Sequence, residues 1–356
     1  MRFRVSLGNL ALLGLVSLIA ACSGSQSSAP NGTDGETPAA DAAFTKLQGA
    51  GASFPAPLYT TWFREYSGMH KNVQIDYQSV GSGSGVKNFI DKTVDFGASD
   101  AAMKEEEIAQ VAEGVVLLPM TAGSIVLAYN LEGVADLKLS REAYTGIFLG
   151  KVTRWNDAAI AASNPGVALP DLPINLIVRA DSSGTTFVFT KHLSEISAEF
   201  AASPGTNKMP NWPTGTRSKG NEGVTGSVKS TPGSIGYVEY GYAKGQKLMT
   251  AALENKNGKF ITPSTESAQA SLAMAEMPEN LILWISDPAG DESYPIVTYT
   301  WLLCYKTYED SAKAAVLKDV ITYCLDKGQA ESEVLGYIPL PENVVAKVKA
   351  ALAGIS

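Results

Sequence analysis

The run Arg179-Ala180-Asp181-Ser182-Ser183-Gly184-Thr185-Thr186 places a guanidinium, a carboxylate and four hydroxyls within eight residues. A β-branched stretch from Ile174 to Val178 precedes it and a helical pattern follows, so the segment reads as strand, tight turn and helix start. Hydroxyls and unbonded N–H groups at a helix N-terminus, beside a guanidinium at a strand end, suit a small oxyanion. The same residues also allow a plainer arrangement, in which Ser183 and Thr185 cap the helix and Arg179 pairs with Asp181.

Similar chemistry recurs at other strand ends. A short strand from Lys46 to Ala50 is predicted to turn through Gly51-Ala52-Ser53-Phe54-Pro55 into a helix with Leu58, Trp62, Phe63 and Tyr66 on its apolar face. Val73, Ile75 and Tyr77 alternate as a half-buried strand, and Gly81-Ser82-Gly83-Ser84-Gly85 then leads into a helix carrying Val86, Phe89 and Ile90. A strand from Thr93 to Phe96 is expected to end in Gly97-Ala98-Ser99-Asp100, with an acidic helix from Lys104 to Ala112 after it. Asp100 would then face a ligand or serve as that helix's N-cap. Val115 to Pro119 and Ser124 to Tyr129 read as two strands joined by a crossing at Thr121-Ala122-Gly123. Gly220 to Lys229 reads as a helix, Ile235 to Val238 as a strand and Pro295 to Tyr305 as a long apolar strand.

This alternation predicts an α/β fold with largely parallel sheets, whose ligands sit beyond the carboxyl ends of the strands. The turn at Gly81 to Gly85 lacks the lysine of a P-loop and the spacing of a dinucleotide fingerprint. Three helix termini, each worth roughly half a positive charge, together with Arg179 would balance a small anion.

Elsewhere the chain sets limits on function. Arg2 and Arg4 precede an apolar run from Leu7 to Ala20 that closes on Ile19-Ala20-Ala21-Cys22, the pattern of a secretory signal (1–22) ending at a lipidated Cys22. The run is shorter than the roughly 20 residues a membrane span needs. Residues 23–45 read as a disordered tether of Ser, Gly, Pro, Ala, Thr and Asp. A net charge of -8 without a basic block argues against nucleic acid as a partner. Cys304 and Cys324 have no metal-site spacing, and their places on a strand end and along the next helix disfavour a disulfide. His70 and His192 are the two histidines of the chain, and no serine sits in a nucleophile elbow, so a phosphate-ester hydrolase would lack parts.

Taken together, Gly49-Ala50-Gly51-Ala52-Ser53-Phe54-Pro55-Ala56-Pro57, Gly81-Ser82-Gly83-Ser84-Gly85-Val86-Lys87, Val94-Asp95-Phe96-Gly97-Ala98-Ser99-Asp100, Arg179 to Thr185 and Gly236-Tyr237-Val238-Glu239-Tyr240 resemble the substrate-binding protein of the bacterial phosphate ABC transporter. The resemblance runs in order from about Thr45 onward. It implies a two-lobed periplasmic-binding-protein fold of type II, α/β, with two mixed sheets, flanking helices and a hinge of two crossings near Thr121 and Thr250. Lobe 1 would comprise 46–121 and 251–356, and lobe 2 would comprise 122–250. Inorganic phosphate would lie in the cleft against Ala52, Ser53, Phe54, Ser82, Asp100, Arg179, Ser183, Gly184 and Thr185, with Asp181 orienting Arg179. Neither cofactor, metal nor catalysis is implied. The expected partners are the permease and ATPase subunits of an importer, serving an exported, lipid-anchored monomer.

Two positions depart from the family pattern. Ser53 stands where threonine is also common, and Gly83-Ser84 reverses a more usual order, so Ser84 is not carried over as a ligand. Asp100 would favour an anion that brings a proton, as phosphate does and sulfate at neutral pH does not. Arsenate shares that property. Sulfate, molybdate and phosphonate are the alternatives within the same fold.

Overall fold

The computed structural model describes residues 44–356. The signal, Cys22 and all but the last residues of the tether lie outside that range. The strands in chain order are β1 (Thr45–Gly51), β2 (Val73–Ser79), β3 (Phe96–Ser99), β4 (Val115–Asn130), β5 (Lys138–Leu139), β6 (Asn175–Arg179), β7 (Thr216–Ser218), β8 (Ser234–Glu239), β9 (Met249–Thr250), β10 (Ala252–Glu254), β11 (Phe260–Ile261) and β12 (Val297–Tyr305). Nine of them form one sheet in the order β2-β1-β3-β12-β4-β8-β6-β7, with β9 beside β4, and β11-β10-β5 form a small second sheet.

The continuity of the large sheet rests on β4, a strand of 16 residues buried along nearly all its length. From Val115 to Ser124 it pairs antiparallel with β12, and from Ile125 to Asn130 it pairs antiparallel with β8. Two strands were expected here. The loop-like composition of Thr121-Ala122-Gly123 is instead absorbed into one extended strand, because β12 supplies ladder partners through Ser124 and Ile338 adds a bridge at Ala122. The two expected mixed sheets are thus two halves of one ladder. The first half is parallel at β2-β1-β3 and the second at β8-β6-β7, with antiparallel β12 and β4 at the centre. β9 pairs with the second half of β4, and β10 with β5, so the segment around Thr250 stays beside the elements that follow Ser124.

Helices on the sheet faces bury apolar stripes. Helix Ala56–Met69 packs Leu58, Tyr59, Trp62, Phe63 and Tyr66 inward, the i, i+3, i+4 spacing of a core-facing helix. Two local expectations shift. β3 begins at Phe96 and runs through Gly97, Ala98 and Ser99, because those residues pair with β1 and β12 instead of turning. The acidic helix shrinks to Glu105–Ile108 with Lys104 at its N-cap, so Asp100 caps nothing there. Among the described residues no helix is long and apolar enough to cross a membrane.

Candidate oxyanion site

Six strand ends converge on one face of the fold, and each hands the chain to a turn or a helix. β1 ends in the turn before helix Ala56–Met69, β2 before helix Ser82–Ile90, and β3 at Asp100. On the other side β6 leads to helix Gly184–Ile196, β7 to helix Gly220–Ser230 and β8 to helix Tyr240–Gln246. Ser53, Ser82, Asp100, Arg179, Ser183 and Thr185 are all buried where these ends meet, far apart as they are in sequence.

Arg179 and Asp181 form a two-pronged pair, with Nε to Oδ1 at 2.8 Å and the second nitrogen to Oδ2 at 2.5 Å. The N–H of Gly220 also donates to Asp181, at 3.0 Å. Arg179 is 2 % exposed. Burial opposes its charge, and the Asp181 hydrogen bond and charge outweigh that and raise its pKa. Ser183 caps its helix by accepting from Thr186 N at 3.0 Å. The Arg179–Asp181 pair and the Ser183 cap of the plainer arrangement therefore exist, while Thr185 caps nothing and bonds Asp100 and Asn221 instead. Because Asp181 offsets the guanidinium charge, the helix N-termini supply the remaining positive potential, at about half a unit charge each.

Asp100 is the one carboxylate facing this cluster from the β3 side. Thr300 on β12 donates to its Oδ1 at 2.9 Å, and Thr185 donates to its Oδ2 at 3.3 Å. Burial pushes its pKa up to about 7, against the lowering effect of Thr300, Arg179 and Thr185. It therefore holds or releases a proton near neutral pH.

The hydroxyls share a pattern. Ser53 Oγ accepts from Asn221 N at 3.0 Å and Asn221 Nδ2 at 2.8 Å, and Ser82 Oγ accepts from Asp100 N at 3.3 Å. Thr185 Oγ1 accepts from Asn221 Nδ2 at 3.2 Å, with an Arg179 nitrogen at 3.5 Å. Each hydroxyl, Ser183 included, has a protein donor on its oxygen. The nearby carbonyls are occupied too. Tyr77, Tyr242 and Tyr337 donate to the carbonyls of Ala52, Ser53 and Phe54 at 2.7, 2.6 and 2.7 Å. Each of these oxygens accepts at least one protein hydrogen bond.

Sequence reasoning missed Asn221, Thr300 and the three tyrosines. Asn221 opens a helix after a strand end, the same arrangement that marked the other turns, and so carried a signal. Thr300 offered only a hydroxyl in an apolar strand, and the tyrosines offered none. Ala52 departs from its expected role. Its N–H donates to Ala98 O at 2.9 Å and its carbonyl takes Tyr77, so it has no polar group to offer a ligand. Ser84 is exposed. Among the described residues no three His, Cys, Asp or Glu side chains are placed to hold a metal ion.

Residues 27–327 match the PBP superfamily domain. The chain is 42 % identical over 308 residues to the phosphate-binding protein PstS of Pasteurella multocida, covering 85 % of this chain and 89 % of that one. It belongs to the PstS family. PstS of Methanocaldococcus jannaschii is 38 % identical over 361 residues, covering 94 % of this chain and 91 % of its relative. A solved high-affinity periplasmic phosphate-binding protein, PfluDING, bound with phosphate, has a TM-score of 0.71 at 20 % identity, covering 86 % of this chain and 93 % of that one. The phosphate binding protein of Stenotrophomonas maltophilia gives 0.70 at 21 %, with the same coverage. These solved structures share the periplasmic-binding-protein fold of this PstS-family chain.

Proposed function

We propose that the protein captures inorganic phosphate among Ser53, Phe54, Ser82, Asp100, Arg179, Ser183, Gly184 and Thr185, and delivers it to the permease and ATPase subunits of an ABC importer without catalysing a reaction. The observation that carries this reading is Asp100, a buried carboxylate that accepts from Thr300 and Thr185 and stands among hydroxyls that each already accept a protein hydrogen bond. A fully deprotonated tetrahedral anion meets repulsion there, while one that keeps a proton gains a hydrogen bond. Family membership and the arrangement of helix N-termini support the same ligand class. Calorimetric titration with phosphate, sulfate and molybdate tests it. Phosphate is expected to bind far more tightly than the other two, and equal affinity for sulfate would defeat the reading.

Closure of two lobes would carry the signal to the permease. The contacts Gly83 N to Ser182 O at 2.9 Å, Ser79 to Glu222 at 2.9 Å and Ser53 to Asn221 join elements on opposite sides of the β4 changeover. The two crossings between the lobes would lie near Thr121 and near Thr250. The protein would be exported and held at the membrane through lipid on Cys22, working as a monomer. Mass spectrometry of the membrane fraction would find a mature chain starting at modified Cys22, and an uncleaved precursor would contradict this.

A further inference from the structure

We propose that Asn221 sets how many protons the bound anion must carry, although its side chain is directed at the hydroxyls that surround the site. The proposal deepens the phosphate reading and rests on it. Asn221 is fully buried and every polar atom of its amide is committed. Its Oδ1 accepts from Glu239 N at 2.9 Å, which fixes the amide so that Nδ2 must face Ser53 and Thr185. Nδ2 then donates to Ser53 Oγ at 2.8 Å and to Thr185 Oγ1 at 3.2 Å, while the backbone N–H of Asn221 donates to Ser53 Oγ at 3.0 Å.

A serine hydroxyl has two lone pairs and one proton. With both lone pairs of Ser53 filled by Asn221, its proton has to point away from Asn221, as a donor. Thr185 is held the same way by Nδ2 and Arg179, so its proton is directed at Asp100 or at an anion. Ser53 and Thr185 are thereby held as donors, Ser82 and Ser183 each carry one protein donor, and Asp100 is the carboxylate left to accept. Such a site accepts a tetrahedral anion with a proton for Asp100 and none on the oxygens that meet Ser53 and Thr185. Were Asn221 absent, Ser53 could turn, offer a lone pair and tolerate a more highly protonated ligand.

The test is a pair of substitutions titrated with inorganic phosphate by calorimetry from pH 5.5 to 8.5, using the full chain with its fold checked by circular dichroism. Asn221→Asp replaces the donating Nδ2 by an acceptor, so the Ser53 and Thr185 protons turn toward residue 221 and their lone pairs toward the ligand. At pH 8.5 it is expected to lose more than 100-fold in phosphate affinity, and to regain at least tenfold relative to wild type by pH 5.5, where phosphate carries two protons. Asn221→Ala keeps the backbone donor to Ser53 and is expected to lose about tenfold at pH 8.5, with a smaller shift of the profile toward acid. Parallel pH profiles in wild type and both variants would overturn the proposal and leave Asn221 a packing residue.

If Asn221→Asp does not fold, a double-substitution cycle of Asn221→Ala with Ser53→Ala decides. Losses that overlap support action through the Ser53 hydroxyl, and strictly additive losses overturn it. Failure of the wild type to prefer phosphate over sulfate would instead defeat the functional reading, independently of how the variants behave.

Discussion

In the proposed site, Asp100 would supply a penalty against the wrong anion and Arg179 an attraction for the right one. Asp100→Asn preserves size and adds a donor, so phosphate should lose little affinity while sulfate gains; competition titrations at neutral pH that left the sulfate-to-phosphate preference unchanged would contradict this. Arg179→Ala removes charge-assisted donors and leaves buried Asp181 without its partner, an expected cost of about 2 to 5 kcal/mol in phosphate binding. Binding within twofold of wild type would reduce Arg179 to a structural role. Asp100 also leaves a signature in stability. Its pKa in the folded protein, about 7, lies above that of an unfolded aspartate, so folding favours the protonated form. That contribution is fully present below about pH 4 and is lost as pH rises through about 7, on the order of 4 kcal/mol in all for the anion-free closed protein. Urea unfolding in phosphate-free buffer should show wild type losing stability relative to Asp100→Asn between those values, and parallel curves would contradict it.

Glycine and tyrosine show how the elements are fitted to the site. Gly81 has φ of +91°, and a Cβ there would lie 2.4 Å from an oxygen of Asp181. Gly184 has an ordinary backbone, yet a Cβ would lie 2.4 Å from Ser82 Oγ and 2.8 Å from both Asp100 N and Asp100 Cβ. The helix that begins at Gly184 can approach the β3 end this closely only without a side chain. Gly184→Ala should therefore weaken phosphate binding at least tenfold while leaving the anion-free protein folded, and unchanged affinity by calorimetry would show that the approach is not needed. The tyrosines do the opposite task of holding. Their hydrogen bonds to three successive carbonyls fix the turn, at a net gain of about 1 kcal/mol per hydrogen bond.

At the level of the whole molecule, β4 couples the two halves of the sheet, and contacts between them bring Ser53, Asp100 and Thr185 together. The two cysteines of the described region stand apart from this machinery. Cys304 on β12 and Cys324 beyond the helix Ser311–Tyr323 are buried and unbridged. Burial raises both thiols, that of Cys304 to about 12, which keeps them unreactive in the folded state. Thiol titration should find both only after unfolding without reductant. Cys304→Ser and Cys324→Ser should leave phosphate affinity unchanged, and a shifted affinity would tie one of them to closure.

What the sequence determined by itself was the local material of the site. A strand followed by Gly, Ser or Thr and a helical stripe identifies a helix N-terminus wherever it occurs, because turn and capping chemistry acts over a few residues. Arg179 with Asp181 and Ser183 at its cap were legible for that reason. The tertiary structure alone decided that β4 is one strand, that Ala52 has its N–H engaged, and which donor fills which lone pair. Those outcomes depend on contacts such as Asn221 to Ser53, Thr300 to Asp100 and Tyr337 to Phe54, across 168, 200 and 283 residues of chain. Residue types along the chain show which hydrogen bonds a group can make. Only the packing of strands distant in sequence selects the partner, and with it whether a hydroxyl meets the anion as donor or acceptor.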